Sequence, residues 1–241
     1  MKTIQVLSIG NSFSEDAHRY LHDYAACQGV SVETINLFIP GCTLWKHFQN
    51  IKSGKREYVL EINGQKASGF YVSIKEALLA REWDVITLQQ ASHLSFVKES
   101  YYPYIARLAE FIRELCPNAK LLIHQTWAYE SESKKLLEHG FQTYDDMFVA
   151  VKACYEEAAC AIGADGIIPS GEAFQHALHN GIACIHRDTF HAKLGVGRLL
   201  LAMIWCRSIT GCAVVPDRRI PLDEEVSEEE YRIALKVSEL F

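Results

Sequence analysis

The sequence predicts an α/β fold: a three-layer α/β/α sandwich with about five parallel strands and an inserted β-hairpin. Short β-branched, apolar runs alternate with stretches of helical periodicity, which is typical of a sheet covered by helices on both faces. The chain opens with a strand, a helix and a second strand, and this order predicts a parallel pair joined by a right-handed crossover. Asn63-Gly64 lies between two apolar runs and is a strong hairpin signal. We therefore interpret residues 1–241 as a single domain.

The first strand is predicted over residues 3–9, where an apolar, β-branched run ends at Gly10-Asn11. Ser14 is predicted to cap the helix that follows, because a serine side chain can accept a hydrogen bond from the free N–H groups of the first turn. That helix is expected to run to about residue 28. A second, alternating strand then covers residues 30–39.

The remaining predicted elements continue the alternation of strands and helices. The hairpin is predicted over about residues 57–72, beside the sheet. Further strands are predicted over residues 84–88, 119–126 and 166–168. Further helices are predicted over residues 73–81, 104–115, 144–162, 172–178 and 192–208, with an acidic C-terminal helix within about 222–241. The polar segment 130–140 is expected to overhang the functional edge of the sheet.

Composition and charge narrow the class of protein. Of the 241 residues, 49% are hydrophobic and 22% charged, as in an ordinary globular protein. The formal net charge of −6 argues against nucleic acid or an anionic membrane as a partner. The longest apolar run, residues 199–206, is too short to span a bilayer, and no signal peptide is visible. The eight cysteines are scattered without a Cys-x-x-Cys pair, so we expect reduced thiols and a cytoplasmic protein.

Ser12 is the candidate nucleophile. It lies in the turn Gly10-Asn11-Ser12 at the carboxyl end of the first strand, and in open α/β sheets this edge carries the chemistry. The start of the next helix favours developing negative charge, so the Ser12 amide is a natural oxyanion donor. The alternative is that Ser12 is an ordinary turn residue that caps the helix.

His191 is the candidate base, and Asp188 is the residue that would orient it. Their three-residue spacing lets the Asp188 carboxylate reach Nδ1 of His191 while Nε2 stays free to take a proton. Because His191 is predicted to begin the 192–208 helix, the helix amino terminus would disfavour imidazolium and keep the base neutral. The alternative is that Asp188 merely caps that helix.

Two further segments at the same sheet edge offer oxyanion donors. Gly41 ends the second strand and offers a backbone amide, although a Pro-Gly pair is also an ordinary turn. Gln89 and Gln90 follow the third parallel strand, and a carboxamide N–H is a suitable neutral donor. The sequence leaves open which glutamine faces the site, and we favour Gln89.

These motifs resemble the blocks of the SGNH (GDSL-like) hydrolase superfamily. Gly10-Asn11-Ser12 is similar to its first block, usually Gly-Asp-Ser, with Asn11 in place of an aspartate of structural role. Asp188-Thr189-Phe190-His191 matches its last block, Asp-x-x-His. The resemblance implies that these two blocks supply a catalytic triad and that the amide of Gly41 matches the second oxyanion donor.

The third block of the superfamily, Gly-x-Asn-Asp, is absent, and Gln89-Gln90 stands in its place. This pair is similar to the Gln-Gly-Glu block of the sialate O-acetylesterase-like branch. Three segments together resemble the less characterised DUF4886 family: Ile9-Gly10-Asn11-Ser12-Phe13-Ser14, Pro40-Gly41-Cys42-Thr43-Leu44 and Leu88-Gln89-Gln90-Ala91-Ser92.

The predicted function is a serine esterase that hydrolyses a short-chain acyl ester of a small molecule or glycan, with carbohydrate deacetylation favoured. The alternatives are a lysophospholipase or thioesterase of the same superfamily, a flavodoxin-like binding module, and a carbohydrate-binding module without turnover. No cofactor or metal is expected. His176, His179 and His186 cluster before the last block, but their spacing fits no standard zinc site. The sequence does not indicate an oligomeric state.

Overall fold

A seven-stranded sheet forms the middle layer of the molecule. The computed structural model describes residues 2–216 and 219–241. The strands in chain order are β1 (Ile4–Gly10), β2 (Val32–Phe38), β3 (Tyr58–Ile62), β4 (Gln65–Val72), β5 (Val85–Leu88), β6 (Lys120–Gln125) and β7 (Gly166–Pro169). Their order across the sheet is β4-β3-β2-β1-β5-β6-β7. The five strands from β2 to β7 in this order are parallel, and β3 and β4 form an antiparallel hairpin at the edge next to β2. The predicted fold class is confirmed.

Helices cover both faces of this sheet. In chain order they are α1 (Ser12–His18), α2 (Leu21–Cys27), α3 (Leu44–Ser53), α4 (Ile74–Leu79), α5 (Tyr104–Leu115), α6 (Lys134–Glu138), α7 (Tyr144–Ile162), α8 (Ser170–His179), α9 (Val196–Thr210) and α10 (Glu228–Ser238). One layer contains α1, α2, α8, α9 and α10, and the other contains α3, α4, α5 and α7. Among the described residues, no helix is both long enough and apolar enough to cross a membrane.

The buried helix α9 organises the first of these layers. Every residue from Leu199 to Cys206 is at most 2% exposed, as expected for a helix that is apolar all round. The prediction placed its start too early, because α9 begins at Val196 and not at residue 192. His191 therefore lies in the loop before the helix.

The chain after β1 differs from the prediction in two respects. The cap of α1 is Asn11, not Ser14, and Ser14 instead accepts a hydrogen bond from the Asn11 backbone. The predicted single helix is broken after His18, where Tyr20 turns inward. Its hydroxyl donates to the carbonyl oxygen of Leu194 at 2.7 Å and accepts from the N–H of Asp223 at 2.6 Å. These contacts with residues distant in the sequence fix the break between α1 and α2, which local helix propensity does not predict.

Helix α3 was not predicted. It has the expected signals at its ends, since Thr43 caps its first turn and Gly54 ends it with a left-handed φ of 63°. However, two of its three buried positions are polar, His47 and Asn50, and both hydrogen-bond the hydroxyl of Tyr58. A buried face built from polar residues leaves no apolar periodicity to detect.

Candidate active site

The turn after β1 places Ser12 at the carboxyl edge of the sheet as the first residue of α1. Oδ1 of Asn11 accepts from the N–H of Phe13 at 3.0 Å, and Oγ of Ser14 accepts from the N–H of Asn11 at 3.1 Å. This reciprocal capping satisfies two backbone donors and holds the turn in one conformation. As the first helical residue, Ser12 has an N–H with no partner inside the helix.

The structure brings Ser12, His191 and Asp188 together in one chain of hydrogen bonds. Nε2 of His191 lies 2.8 Å from Oγ of Ser12, and Nδ1 lies 2.8 Å from Oδ2 of Asp188. Oδ1 of Asp188 also accepts from the backbone N–H of His191 at 2.9 Å. The carboxylate therefore fixes both the ring and the backbone of His191. This is the arrangement that a nucleophile, a general base and an orienting acid require.

Asp188 keeps its charge in this arrangement. Partial burial acts to raise the pKa of the carboxyl group, but the hydrogen bonds from the side chain and backbone of His191 outweigh it, and the pKa is lowered. A charged carboxylate at Nδ1 stabilises the imidazolium that forms when His191 takes a proton. The alternative of Asp188 as a helix cap does not hold, since α9 begins at Val196. For the same reason, the prediction that His191 begins a helix is wrong.

Asp16 connects the helix of the nucleophile to the loop of the base. It is completely buried on α1, where Oδ2 accepts from the N–H of Ala192 at 3.0 Å. The same carboxylate accepts from Nη1 of Arg187 at 2.8 Å and from Nε of Arg198 at 2.9 Å. Because Ala192 follows His191 directly, these bonds hold the base in register with Ser12.

Gly41 lies at the same edge in a β-turn. The N–H of Cys42 donates to the carbonyl oxygen of Ile39 at 3.2 Å across Pro40-Gly41, and Gly41 has a φ of 58°. A positive φ at the third residue is the conformation for which turns select glycine. Gly41 is an exposed residue, and no acceptor for its N–H is found among the described residues. Nδ2 of Asn11 donates to the carbonyl oxygen of Cys42 at 3.2 Å and so ties this turn to that of Ser12.

Neither glutamine side chain reaches the cleft in front of Ser12. Nε2 of Gln89 donates to Oδ1 of Asn11 at 2.7 Å, and its Oε1 lies 2.5 Å from Nδ1 of His124. Gln90 is also buried, and its carboxamide bonds the backbone of Ser100 and of Leu44, each at 3.0 Å. Both carboxamides are thus engaged in the scaffold behind the site.

A cleft of about 440 Å³ opens in front of Ser12 and His191. Its apolar walls are the rings of Phe13, Phe38 and Phe190 together with Pro40. Four polar residues that were not among the predicted site residues also line it: Asn11, Ser92, His93 and Lys135. Ser92 and His93 come within five residues of the end of β5, so their position after a strand end was the signal that could have identified them. Lys135 belongs to the segment that was expected to overhang this edge.

The other reactive side chains of the chain take structural positions. Burial raises the pKa of the Cys42 thiol to about 12, which makes it a poor nucleophile. The three histidines of the predicted cluster contact different groups: His179 pairs with Asp145, His186 bonds the Ala128 carbonyl oxygen, and His176 packs on Phe241. No group of three or more metal-ligating side chains occurs in residues 2–216 and 219–241.

The fold is that of the SGNH hydrolases. A "putative SGNH hydrolase" from Slackia heliotrinireducens aligns with a TM-score of 0.64 and 22% identity, over 86% of this chain and 100% of that chain. A family 3 carbohydrate esterase from Clostridium thermocellum aligns with a TM-score of 0.52 and 15% identity, over 85% and 94%. At these identities the likeness concerns the fold.

The family is established by closer matches. The family model described as "Domain of unknown function (DUF4886)" matches residues 5–238, and the chain belongs to this family. The crystal structure of a DUF4886 family protein from Bacteroides uniformis ATCC 8492 is 32% identical, with a TM-score of 0.90 over 98% of this chain and 93% of that chain. A search among curated proteins gave no match.

Proposed function

We propose that the protein is a serine esterase that removes a short acyl group, with acetyl esters of carbohydrates as the favoured substrates. The observation that carries the proposal is the hydrogen-bond chain from Ser12 through His191 to Asp188, with both side-chain distances at 2.8 Å. The fold that this chain shares with SGNH hydrolases and carbohydrate esterases supports it. The size of the cleft favours a short acyl group, since about 440 Å³ is near the lower end of small-molecule sites.

The reaction would begin when His191 takes the proton of Ser12 as its Oγ attacks the ester carbonyl carbon. Asp188 stabilises the imidazolium, which then protonates the leaving alcohol as the ester C–O bond breaks. An acyl group remains on Ser12. His191 next takes a proton from water, the hydroxide adds to the acyl carbon, and the carboxylic acid leaves as Ser12 regains its proton.

The backbone N–H groups of Ser12 and Gly41 would receive the oxyanion, because both residues line the cleft and neither N–H has an acceptor among the described residues. In place of the glutamines, the hydroxyl of Ser92 is the candidate third donor. It accepts a hydrogen bond from the Tyr129 hydroxyl at 3.1 Å, so its own proton is free to point into the cleft. Removing one oxyanion donor costs about 10²–10³-fold in kcat.

The test is hydrolysis of 4-nitrophenyl acetate by the wild-type protein and by Ser12→Ala. We expect the variant to lose kcat by several orders of magnitude, while Ser53→Ala, at an exposed serine that ends α3 and does not line the cleft, retains the activity. A Ser12→Ala protein with wild-type activity would overturn the proposal, provided that both proteins show the same thermal unfolding midpoint.

A further inference from the structure

Lys135 places a cation in the candidate active-site cleft. It belongs to α6, within the segment that overhangs the carboxyl edge of the sheet. Its Nζ lies 3.2 Å from the centroid of the Phe190 ring and 5.1 Å from that of the Tyr129 ring. Because Phe190 directly precedes His191, the ammonium group is held next to the catalytic loop by cation–π contacts.

The carboxylates around Lys135 are already used by other groups. Among the described residues, no carboxylate oxygen forms an ion pair with its Nζ within 4.0 Å. Asp188 bonds His191, and Glu138 lies 3.8 Å from Lys134. Partial burial lowers the pKa of Lys135, against the opposing influence of Asp188 and Glu138. The cation is thus partly desolvated and has rings as its near neighbours.

Other basic groups lie close to this cation. His93 lines the same cleft, and its pKa is lowered by partial burial and then by the charges of His139 and Lys135. A protein of net charge −6 thus collects basic side chains at the mouth of its cleft. With its pKa lowered, His93 is uncharged near neutral pH, and its ring can offer a bound anion an N–H donor beside the charge of Lys135.

Lys66 shows how a structural cation near this site differs. It also lies over a ring of the cleft, 4.4 Å from the centroid of Phe38. Unlike Lys135, it forms an ion pair with Glu15 at 2.7 Å and lies 3.8 Å from Glu61. The absence of such a carboxylate partner for Lys135 among residues 2–216 and 219–241 leaves a place for an external anion.

We propose that the substrate is an acyl ester whose alcohol part carries a negative charge, held at the cleft mouth by Lys135 with help from His93. The charged group is a carboxylate, a sulfate or a phosphate, since each gives the ammonium group an anionic oxygen acceptor. The inference rests on the proposed esterase function and deepens it by naming the chemical class of the substrate.

The experiment compares kcat/KM for 4-acetoxybenzoate with that for its uncharged methyl ester. Parallel measurements with 4-acetoxybenzenesulfonate and 4-acetoxyphenyl phosphate distinguish the three anions. We expect the wild-type protein to favour at least one charged ester by about tenfold, and Lys135→Met to abolish most of this preference. Lys134→Met is the matched control, because this substitution removes the same charge from the same helix. The side chain of Lys134 is 91% exposed. Lys134→Met should keep the preference.

The outcomes separate the two proposals. If the wild-type protein hydrolyses the neutral and charged esters equally, or if Lys135→Met keeps the preference, the anion site is wrong and the esterase function stands. If no ester is hydrolysed, calorimetry with 4-hydroxybenzoate and its methyl ester tests the anion site independently of turnover. The site is supported if the wild-type protein binds 4-hydroxybenzoate more tightly than its methyl ester and if Lys135→Met loses this difference. Equal binding, or no binding by either compound, would overturn it.

Discussion

Asn11 is the residue on which the two backbone turns of the candidate site depend. Its Oδ1 accepts from the N–H of Phe13 and from Nε2 of Gln89, and its Nδ2 donates to the carbonyl oxygen of Cys42. One buried carboxamide therefore caps α1 and positions the turn that carries Gly41. This explains how an asparagine can occupy the position before Ser12.

Replacing this carboxamide tests its role. We expect Asn11→Ala to lower the free energy of unfolding by about 1–3 kcal/mol, because a helix cap and two further hydrogen bonds are lost. Asn11→Asp is the comparison variant: it keeps the acceptor for Phe13 and Gln89, but it replaces the donor to the Cys42 carbonyl oxygen by a carboxylate oxygen and adds a charge. Urea denaturation measures the change in the free energy of unfolding, and kcat for 4-nitrophenyl acetate measures the change at the candidate site. An Asn11→Ala protein as stable as the wild type would contradict this role.

The candidate triad could be predicted at the residue scale because its information is local. Asp188 and His191 are three residues apart, and Ser12 follows a strand in a small-residue turn. The glutamines show the opposite case. Their orientation depends on His124 and Ser100, which are distant in the chain, so no local pattern could show that both carboxamides face the scaffold.

At the scale of elements, two helices with an apolar stripe were predicted to the residue. The bounds of α5, Tyr104–Leu115, and of α7, Tyr144–Ile162, are those expected from periodicity. The loop before α9 could not be predicted in this way. Its conformation is fixed by the bonds of Arg187 and Ala192 to Asp16, which lies over 170 residues earlier in the sequence.

The hairpin that forms the sheet edge carries a buried acid. Glu61 on β3 is 2% exposed and lies opposite Asn36 of β2, whose Nδ2 donates to Oε2 of Glu61 at 2.7 Å. Asn36 in turn accepts from Oγ of Ser14 at 2.9 Å, so the hairpin is linked to the turn of Ser12. Burial is the main cause that raises the pKa of Glu61 to about 7.

This raised pKa predicts how stability changes with pH. The folded state holds a proton on Glu61 that the unfolded state releases near pH 4.5. The stability that this proton binding adds to the folded state is therefore lost as pH rises towards 7. Between pH 5 and 8 we expect the wild type to lose about 2–3 kcal/mol of stability relative to Glu61→Gln. Urea denaturation at several pH values measures this. Parallel pH profiles for the two proteins would contradict it, and Glu33→Gln, at a partly exposed glutamate of β2, serves as the control.

At the scale of the whole molecule, the parallel sheet explains how distant segments form one site. Ser12 follows β1, Gly41 follows β2 and Ser92 follows β5, so the three reach the same edge of the sheet. The loop of Asp188 and His191 is joined to this edge through Asp16, and Lys135 approaches from the overhanging segment. The sequence could predict this convergence, whereas the charge and the aromatic walls of the cleft depend on tertiary packing.

The most direct test of the central claim is covalent trapping of the nucleophile. We expect a fluorophosphonate probe to add one phosphonyl group to the folded protein, and fragmentation of the labelled peptide to place it on Ser12, not on Ser8 or Ser14. Ser12→Ala should remain unlabelled under the same conditions. A protein that hydrolyses 4-nitrophenyl acetate but carries the label on another residue, or carries none, would contradict the assignment of Ser12 as the nucleophile.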